Sequence, residues 1–215
     1  HFILEAVFRV VGDEQRVGNA TPLFIAPDKG LRTTAEPAQI AVMEFSSSLA
    51  SSGIDQLIRH LRPGVRELEL AEHMVSKGQP LSCHPMVASG SRAKYGLLSP
   101  SSKALSLGDE FTVALGVQGG LTARAGYIAD TEADLPEAAQ DWIDKVVKPY
   151  YAAVASWYET VGIGVPGGAL YDTIQAIIPK EEFGWGLNPG HLISMEEWQS
   201  SPIYAGSNIG LRSGM

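Results

Sequence analysis

The stretch from Pro85 to Tyr127 constrains the fold more than any other. It holds Pro-Met-Val-Ala-Ser-Gly at 85–90, Leu-Leu-Ser-Pro-Ser at 97–101, Leu-Gly-Asp at 107–109, Phe-Thr-Val-Ala-Leu-Gly at 111–116 and Gly-Gly-Leu-Thr-Ala-Arg-Ala-Gly-Tyr at 119–127. Short apolar runs broken by glycine, proline and serine predict strands over 81–89, 109–116 and 119–128. The Gly119-Gly120 pair predicts a hairpin between the last two.

Helices are expected on either side. Pro37 suits a first helical turn, with Thr33, Thr34 and Glu36 as capping candidates. Ile40, Met43, Leu49, Leu57, Ile58 and Leu61 then recur at helical spacing, with a weak point at Gly53. Pro63 ends that helix, because it disfavours α geometry at Arg62. A second helix follows, with Leu68, Leu70, Ala71 and Met74/Val75 inward. Residues 134–160 read as a helix kinked or divided at Pro149, with Trp142, Val146, Ala153 and Trp157 as its stripe. Tyr171 to Ile178 is another helix, closed by Pro179. Residues 1–11 and Leu23-Phe24-Ile25 read as strand-like, with a turn at Pro27–Gly30. Gly184 to Met215 reads as strands joined by long site-forming loops.

Composition narrows the function. The 215 residues carry a net charge of −8, which argues against binding a phosphate backbone and leaves small ligands open. An apolar content of 45% with 19% charged residues is that of a globular protein with a core. The single cysteine, Cys83, excludes an internal disulfide. No run is long and apolar enough to span a membrane, and the first residues lack a signal peptide's basic start, so the cytoplasm is the expected compartment. Both ends read as cut, as in a piece of a longer protein.

The central cadence resembles the strands of the pita-bread hydrolases: creatinase, Xaa-Pro dipeptidase (prolidase), aminopeptidase P and methionine aminopeptidase. Leu61-Arg-Pro-Gly-Val-Arg-Glu-Leu-Glu-Leu-Ala is similar to the helix pair that opens their catalytic domain. Val165-Pro166-Gly167-Gly168 repeats its Pro-Gly turn, as an internal duplication would. The resemblance implies an α+β fold with a curved, mostly antiparallel sheet and outer helices. It places the catalytic-type domain over 31–215, with 1–30 as the remnant of an N-terminal domain.

The family's metal-dependent members hold two cations with carboxylates and histidine, to activate water and grip a carbonyl oxygen. Carried over residue by residue, the resemblance places a substrate-handling histidine at Leu97. The first aspartate falls at Ala114, and the second at Arg124 or Ala125. A ligand histidine is kept as His191, in Gly190-His191-Leu192-Ile193-Ser194, but the next histidine falls at Trp198. The last two glutamates would lie beyond Met215. Aliphatic side chains cannot coordinate a cation, and Arg124 would repel one by about 4 kcal/mol at 4 Å and an effective dielectric of 20. No metal and no cofactor are expected.

Three functions follow from this reading. The first is a relative of Xaa-Pro aminopeptidase and creatinase without the dinuclear site, binding a small amino-acid-like or amidino ligand or a short peptide. Arg124 would then clamp an anionic group, Trp198 would form an aromatic wall, and Leu97 and Ala114 would line the pocket. The second is a metal-independent hydrolase of C–N bonds, with His191 and Glu196 (or Glu197) as acid and base. Creatinase sets that precedent, although it keeps the histidine that is Leu97 here. The third is a non-catalytic interaction module. A homodimer is expected, and neither nucleic acid nor membrane is an expected partner. His60, His73 and His84 read as structural or solvent-facing.

Overall fold

The structure is a computed structural model that describes residues 9–10, 18–74, 78–96, 98–195 and 199–215. The sequence-based strand over 1–11 lies largely outside them. Three strands, β1 (Met86–Ser89), β2 (Glu110–Val117) and β3 (Gly120–Tyr127), form one antiparallel sheet in the order β1-β2-β3. β2 and β3 meet in the expected hairpin, with Gly119 in the turn at φ 96°.

Leu23-Phe24-Ile25 departs from expectation. It belongs to a short helix, α1 (Thr21–Ile25), opened by Asn19, whose side chain accepts the Thr21 N–H at 3.0 Å. That side-chain turn at Asn19 and Pro22 in the first turn outweigh the strand preference of the apolar triplet.

α2 (Pro37–Arg59) starts where Pro37 predicts, and Gln39 Oε1 accepts the Glu36 N–H at 2.8 Å. Its buried stripe is Met43, Ser46, Ala50, Gly53, Ile54 and Leu57, while Ile40 and Ile58 are 47% and 42% exposed. The sheet decides this rotation. A Cβ at Gly120 would stand 2.6 Å from Ser47 N, so helix and hairpin touch backbone to backbone and only small residues fit between them. Gly53 is therefore part of the contact and does not break the helix. Ile54 and Leu57 join Leu70, Met74, Val87, Leu105, Phe111, Val113, Leu115 and Ile128 in the core.

α3 (Glu67–Ala71) buries Glu67 and Leu70 and leaves Leu68 exposed. The helix expected over 134–160 is divided. 3₁₀ turns at Glu132–Asp134 and Glu137–Ala139 lead into a π turn, Ile143–Val147, and then α4 (Lys148–Thr160). Pro149 lacks an N–H and sits at the start of α4, and the wider π turn before it absorbs the missing bond. Of the predicted stripe only Ala153 is fully buried. α5 (Gly167–Ile177) and α6 (Lys180–Phe183) follow. No strand forms among the described residues of 184–215. Beyond one bridge, Pro166 to Gly210, backbone and side-chain hydrogen bonds join them to the rest.

The duplication is visible bond by bond. Gly64 N donates to Leu105 O and Gly164 N to Leu211 O, both at 2.8 Å. Leu105 N donates to Val65 O and Leu211 N to Val165 O, both at 2.9 Å. Glu67 N meets Lys103 O at 3.0 Å and Gly167 N meets Ile209 O at 2.9 Å. The turn glycines have φ of 89° and 86°, and Leu70 and Leu170 are wholly buried. The match extends to Asp109 N on Ser106 O and Met215 N on Arg212 O, both at 3.1 Å.

Candidate functional site

Register assigns each sheet residue to a face, because directly paired residues of antiparallel strands project to the same side. Phe111, Val113 and Leu115 belong to the core shared with α2. Thr122, the partner of Leu115, confirms that side, since its hydroxyl lies 3.1 Å from Ser51 Oγ of α2. The opposite face carries Met86, Ala88, Thr112, Ala114, Ala123 and Ala125.

This resolves the count that left Arg124 or Ala125. Ala125 pairs with Thr112 and shares the face of Ala114, whereas Arg124 pairs with Val113 on the α2 side. Arg124 is exposed there and donates from Nη1 to Ala123 O at 2.6 Å. Arg124 and Ala114 therefore do not meet in one site. Ala114 and Ala88 are buried. Among the described residues no group of three or more His, Cys, Asp or Glu side chains is placed to share a metal ion.

His191 stands elsewhere. It follows Gly190, where a Cβ would come within 2.7 Å of Ile203 Cδ1 and 3.3 Å of Trp157. Its Nδ1 lies 2.9 Å from Leu192 O, an acceptor, so that nitrogen carries a proton. Its loop is fixed by Leu192 N to Ser200 O (2.9 Å) and Ser201 Oγ to Gly190 O (2.6 Å). The imidazole lines a cavity of about 250 Å³ with Trp157, Leu192, Ile203, Arg212 and Met215. Neither Ala114 nor Arg124 lines it. Leu97, Glu196, Glu197 and Trp198 lie outside the described residues. Among the described candidates, His191 lines this cavity and Ala114 and Arg124 do not.

The stretch before α2 holds this loop from outside. Arg32 Nη2 donates to Ser194 Oγ at 2.8 Å, Ser200 Oγ to Ile25 O at 2.5 Å, Arg212 Nη2 to Thr33 Oγ1 at 3.1 Å and Ala35 N to Gly214 O at 2.7 Å. The boundary expected at residue 30 falls inside this packed stretch.

Sequence reasoning passed over Glu67. Its carboxylate is wholly buried and accepts four hydrogen bonds. Ser89 donates from N and Oγ to Oε1, both at 2.8 Å, and Ser101 donates from N (2.9 Å) and Oγ (2.7 Å) to Oε2. Arg92 Nε stands 3.3 Å from Oε2. Burial pushes the carboxyl up, and the bonds from Ser101 and Ser89 outweigh it and hold the group below the usual glutamate value. The signal was present: Glu67 and Leu70, three residues apart, share the buried face of α3.

Elsewhere, His60 and His73 stack at 3.6 Å between ring centroids and are half-buried. His84 is exposed and precedes β1, outside any strand. Cys83 presses on β2, since a Cβ at Gly116 would stand 2.5 Å from its Sγ.

An antiparallel sheet backed by a long helix, with a repeated turn-and-helix unit, defines an α+β domain of the pita-bread class. The chain belongs to metallopeptidase family M24, whose match covers residues 41–215. Solved structures agree on the fold. Prolidase from Pyrococcus furiosus superposes with a TM-score of 0.71 at 20% identity, covering 86% of this chain and 56% of that one. Xaa-Pro dipeptidase from Bacillus anthracis gives 0.70 at 20% identity, with 86% and 53% covered. Aminopeptidase PepP from Pseudomonas aeruginosa gives 0.69 at 15% identity, with 87% and 49% covered. The chain thus spans about half the length of these proteins. No curated protein matches it in sequence. No helix among the described residues is long and apolar enough to cross a membrane.

Proposed function

We propose that this chain is an M24 domain of the Xaa-Pro aminopeptidase and creatinase kind that has lost the dinuclear metal site and binds a small amino-acid-like ligand without metallopeptidase activity. The observation that carries this reading is the pairing of Ala114 and Ala125 with neighbours on one sheet face. The family resemblance places the first aspartate at Ala114 and the second at Arg124 or Ala125, and of these two Ala125 shares the face of Ala114. Methyl groups offer no lone pair to a hard or borderline cation, so the donor set does not fit the metals this family uses.

The ligand class follows from the His191 cavity. Its wall is largely apolar, from Trp157, Leu192, Pro202 and Ile203, and its polar side chains are those of His191 and Arg212. An apolar side chain with a carboxylate end suits that lining. A cationic amidino group would meet the Arg212 charge unfavourably.

Metal analysis tests the reading. After incubation with manganese, cobalt or zinc and removal of free ions, the expected content is well below one ion per chain, and no Xaa-Pro dipeptide is hydrolysed. Two tightly held ions per chain, the stoichiometry of a dinuclear hydrolase, would overturn it.

A further inference from the structure

The buried carboxylate of Glu67 is spent on one task. Oε1 takes both donors of Ser89, the last residue of β1, and Oε2 takes both donors of Ser101, where the chain returns. Between these anchors runs the 3₁₀ turn Gly90–Tyr95. Arg92 from that turn reaches toward Oε2 and donates from Nη2 to Ser99 O at 2.8 Å. Val87 N donates to Leu98 O at 3.0 Å, so the returning chain lies against β1, whose Met86 and Ala88 share the face of Ala114.

We propose that Glu67 is the positioning group of this turn: its carboxylate ties Ser89 to Ser101 and so sets the border of the Ala114 face, and neutralising it frees the turn while the sheet stays folded. The second half of the molecule supplies a contrast. Its matching position is Gly167, where a Cβ would overlap the Pro202 carbonyl, so no side chain can anchor that half in the same way.

The remaining charges near the carboxylate are few. Arg92 is the cation facing it, and loss of the glutamate charge would leave that guanidinium without its counter-ion. Lys103 is engaged by Asp109 at 2.5 Å beneath Gly90. On α3 itself Glu69 Oε2 accepts the Arg66 N–H at 2.9 Å, and β1 contributes no ionisable group. The turn is held largely by one charge and its donors, whereas β2 and β3 are held by ladder bonds and the apolar core.

The test is a pH series of ¹H–¹⁵N spectra with hydrogen-exchange protection factors, on the full chain and on Glu67→Gln. The Ser89 and Ser101 amides are expected to titrate together on acidification. Protection in Gly90–Tyr95 should fall at least about tenfold across that midpoint, and by a larger factor than in β2 and β3. Glu67→Gln should show the same loss at neutral pH and no shared titration. If the variant does not fold, Ser89→Ala, which removes one donor, should move the midpoint upward. Amides that fail to titrate together, or β2–β3 protection that falls by as large a factor as that of the turn, would overturn the proposal.

Discussion

The two halves of the chain share one backbone frame and fill it differently. The bonds that join 64–68 to 101–105 and 164–168 to 207–211 agree to within 0.1 Å, from Gly64 and Gly164 through Leu68 and Gly168. In the first half a carboxylate locks the frame, and the β2–β3 hairpin covers α2. In the second half a bare glycine backbone presses on Pro202 and Ser207. There α4 and α5 flank a cleft of about 760 Å³ lined by Tyr150, Val154, Trp157, Ile174 and Trp185. The lesson concerns what a repeat preserves. Backbone groups must find partners whatever the side chains are, so the frame survives wherever its turn glycines do. The side chains inside it can diverge from a carboxylate holding four donors to no side chain at all.

Substitutions that swap the two solutions should break the comparison most sharply. Glu67→Ala leaves four donors and the Arg92 cation without their acceptor, and is expected to cost about 3–5 kcal/mol in urea unfolding. A cost under about 1 kcal/mol would mean that solvent or Ser–Ser contacts replace the carboxylate. Gly167→Ala forces a methyl against the Pro202 carbonyl, and about 2–3 kcal/mol is expected, with the His191 cavity disturbed because Pro202 lines it. If Gly167→Ala were neutral, the tight approach would not be what excludes a side chain there.

The acid limb separates the halves again. Glu67 titrates below its ordinary value of about 4.5 in the folded chain. Its contribution to stability is therefore complete above that value and is lost as pH falls through the lower folded one. Glu67→Gln should flatten this part of the acid unfolding curve, and an unchanged slope would assign the acid sensitivity to other carboxylates. The smallest effects sharpen the shared part. Gly64 and Gly164 both have positive φ with open space around the missing Cβ, so alanine at either should cost about 1 kcal/mol, and by equal amounts. Unequal costs would show that the two turns differ in ways their bonds do not reveal.

Local rules explain which elements the sequence made legible. Pro37 with Glu36 and Gln39 marks the start of α2, and the run from Phe111 with the Gly119-Gly120 pair marks the hairpin. Both signals act within a few residues. Leu23-Phe24-Ile25 misleads, because a side-chain turn at Asn19 and Pro22 in the first helical turn outweigh its β preference. Strands anticipated over 184–215 do not form among the described residues, and that segment is held as loop by hydrogen bonds to the stretch before α2. The candidate site was legible in part. Counting from Asp109 leads to Ala114, yet choosing between Arg124 and Ala125 requires the strand register, since one residue of slip reverses the face.

What the sequence settled alone is the frame: turn glycines, helix starts, the hairpin and the absence of acidic residues at Ala114 and Ala125, all read within a short window. Tertiary structure decided the rest. It turned the small residues of α2 toward the sheet, moved Arg124 away from Ala114, and brought Ser89 and Ser101 onto Glu67. The reason is that each depends on which segments meet and in what register, Ser89 and Ser101 lying 22 and 34 residues from Glu67, and no local preference encodes which donor a buried carboxylate will meet.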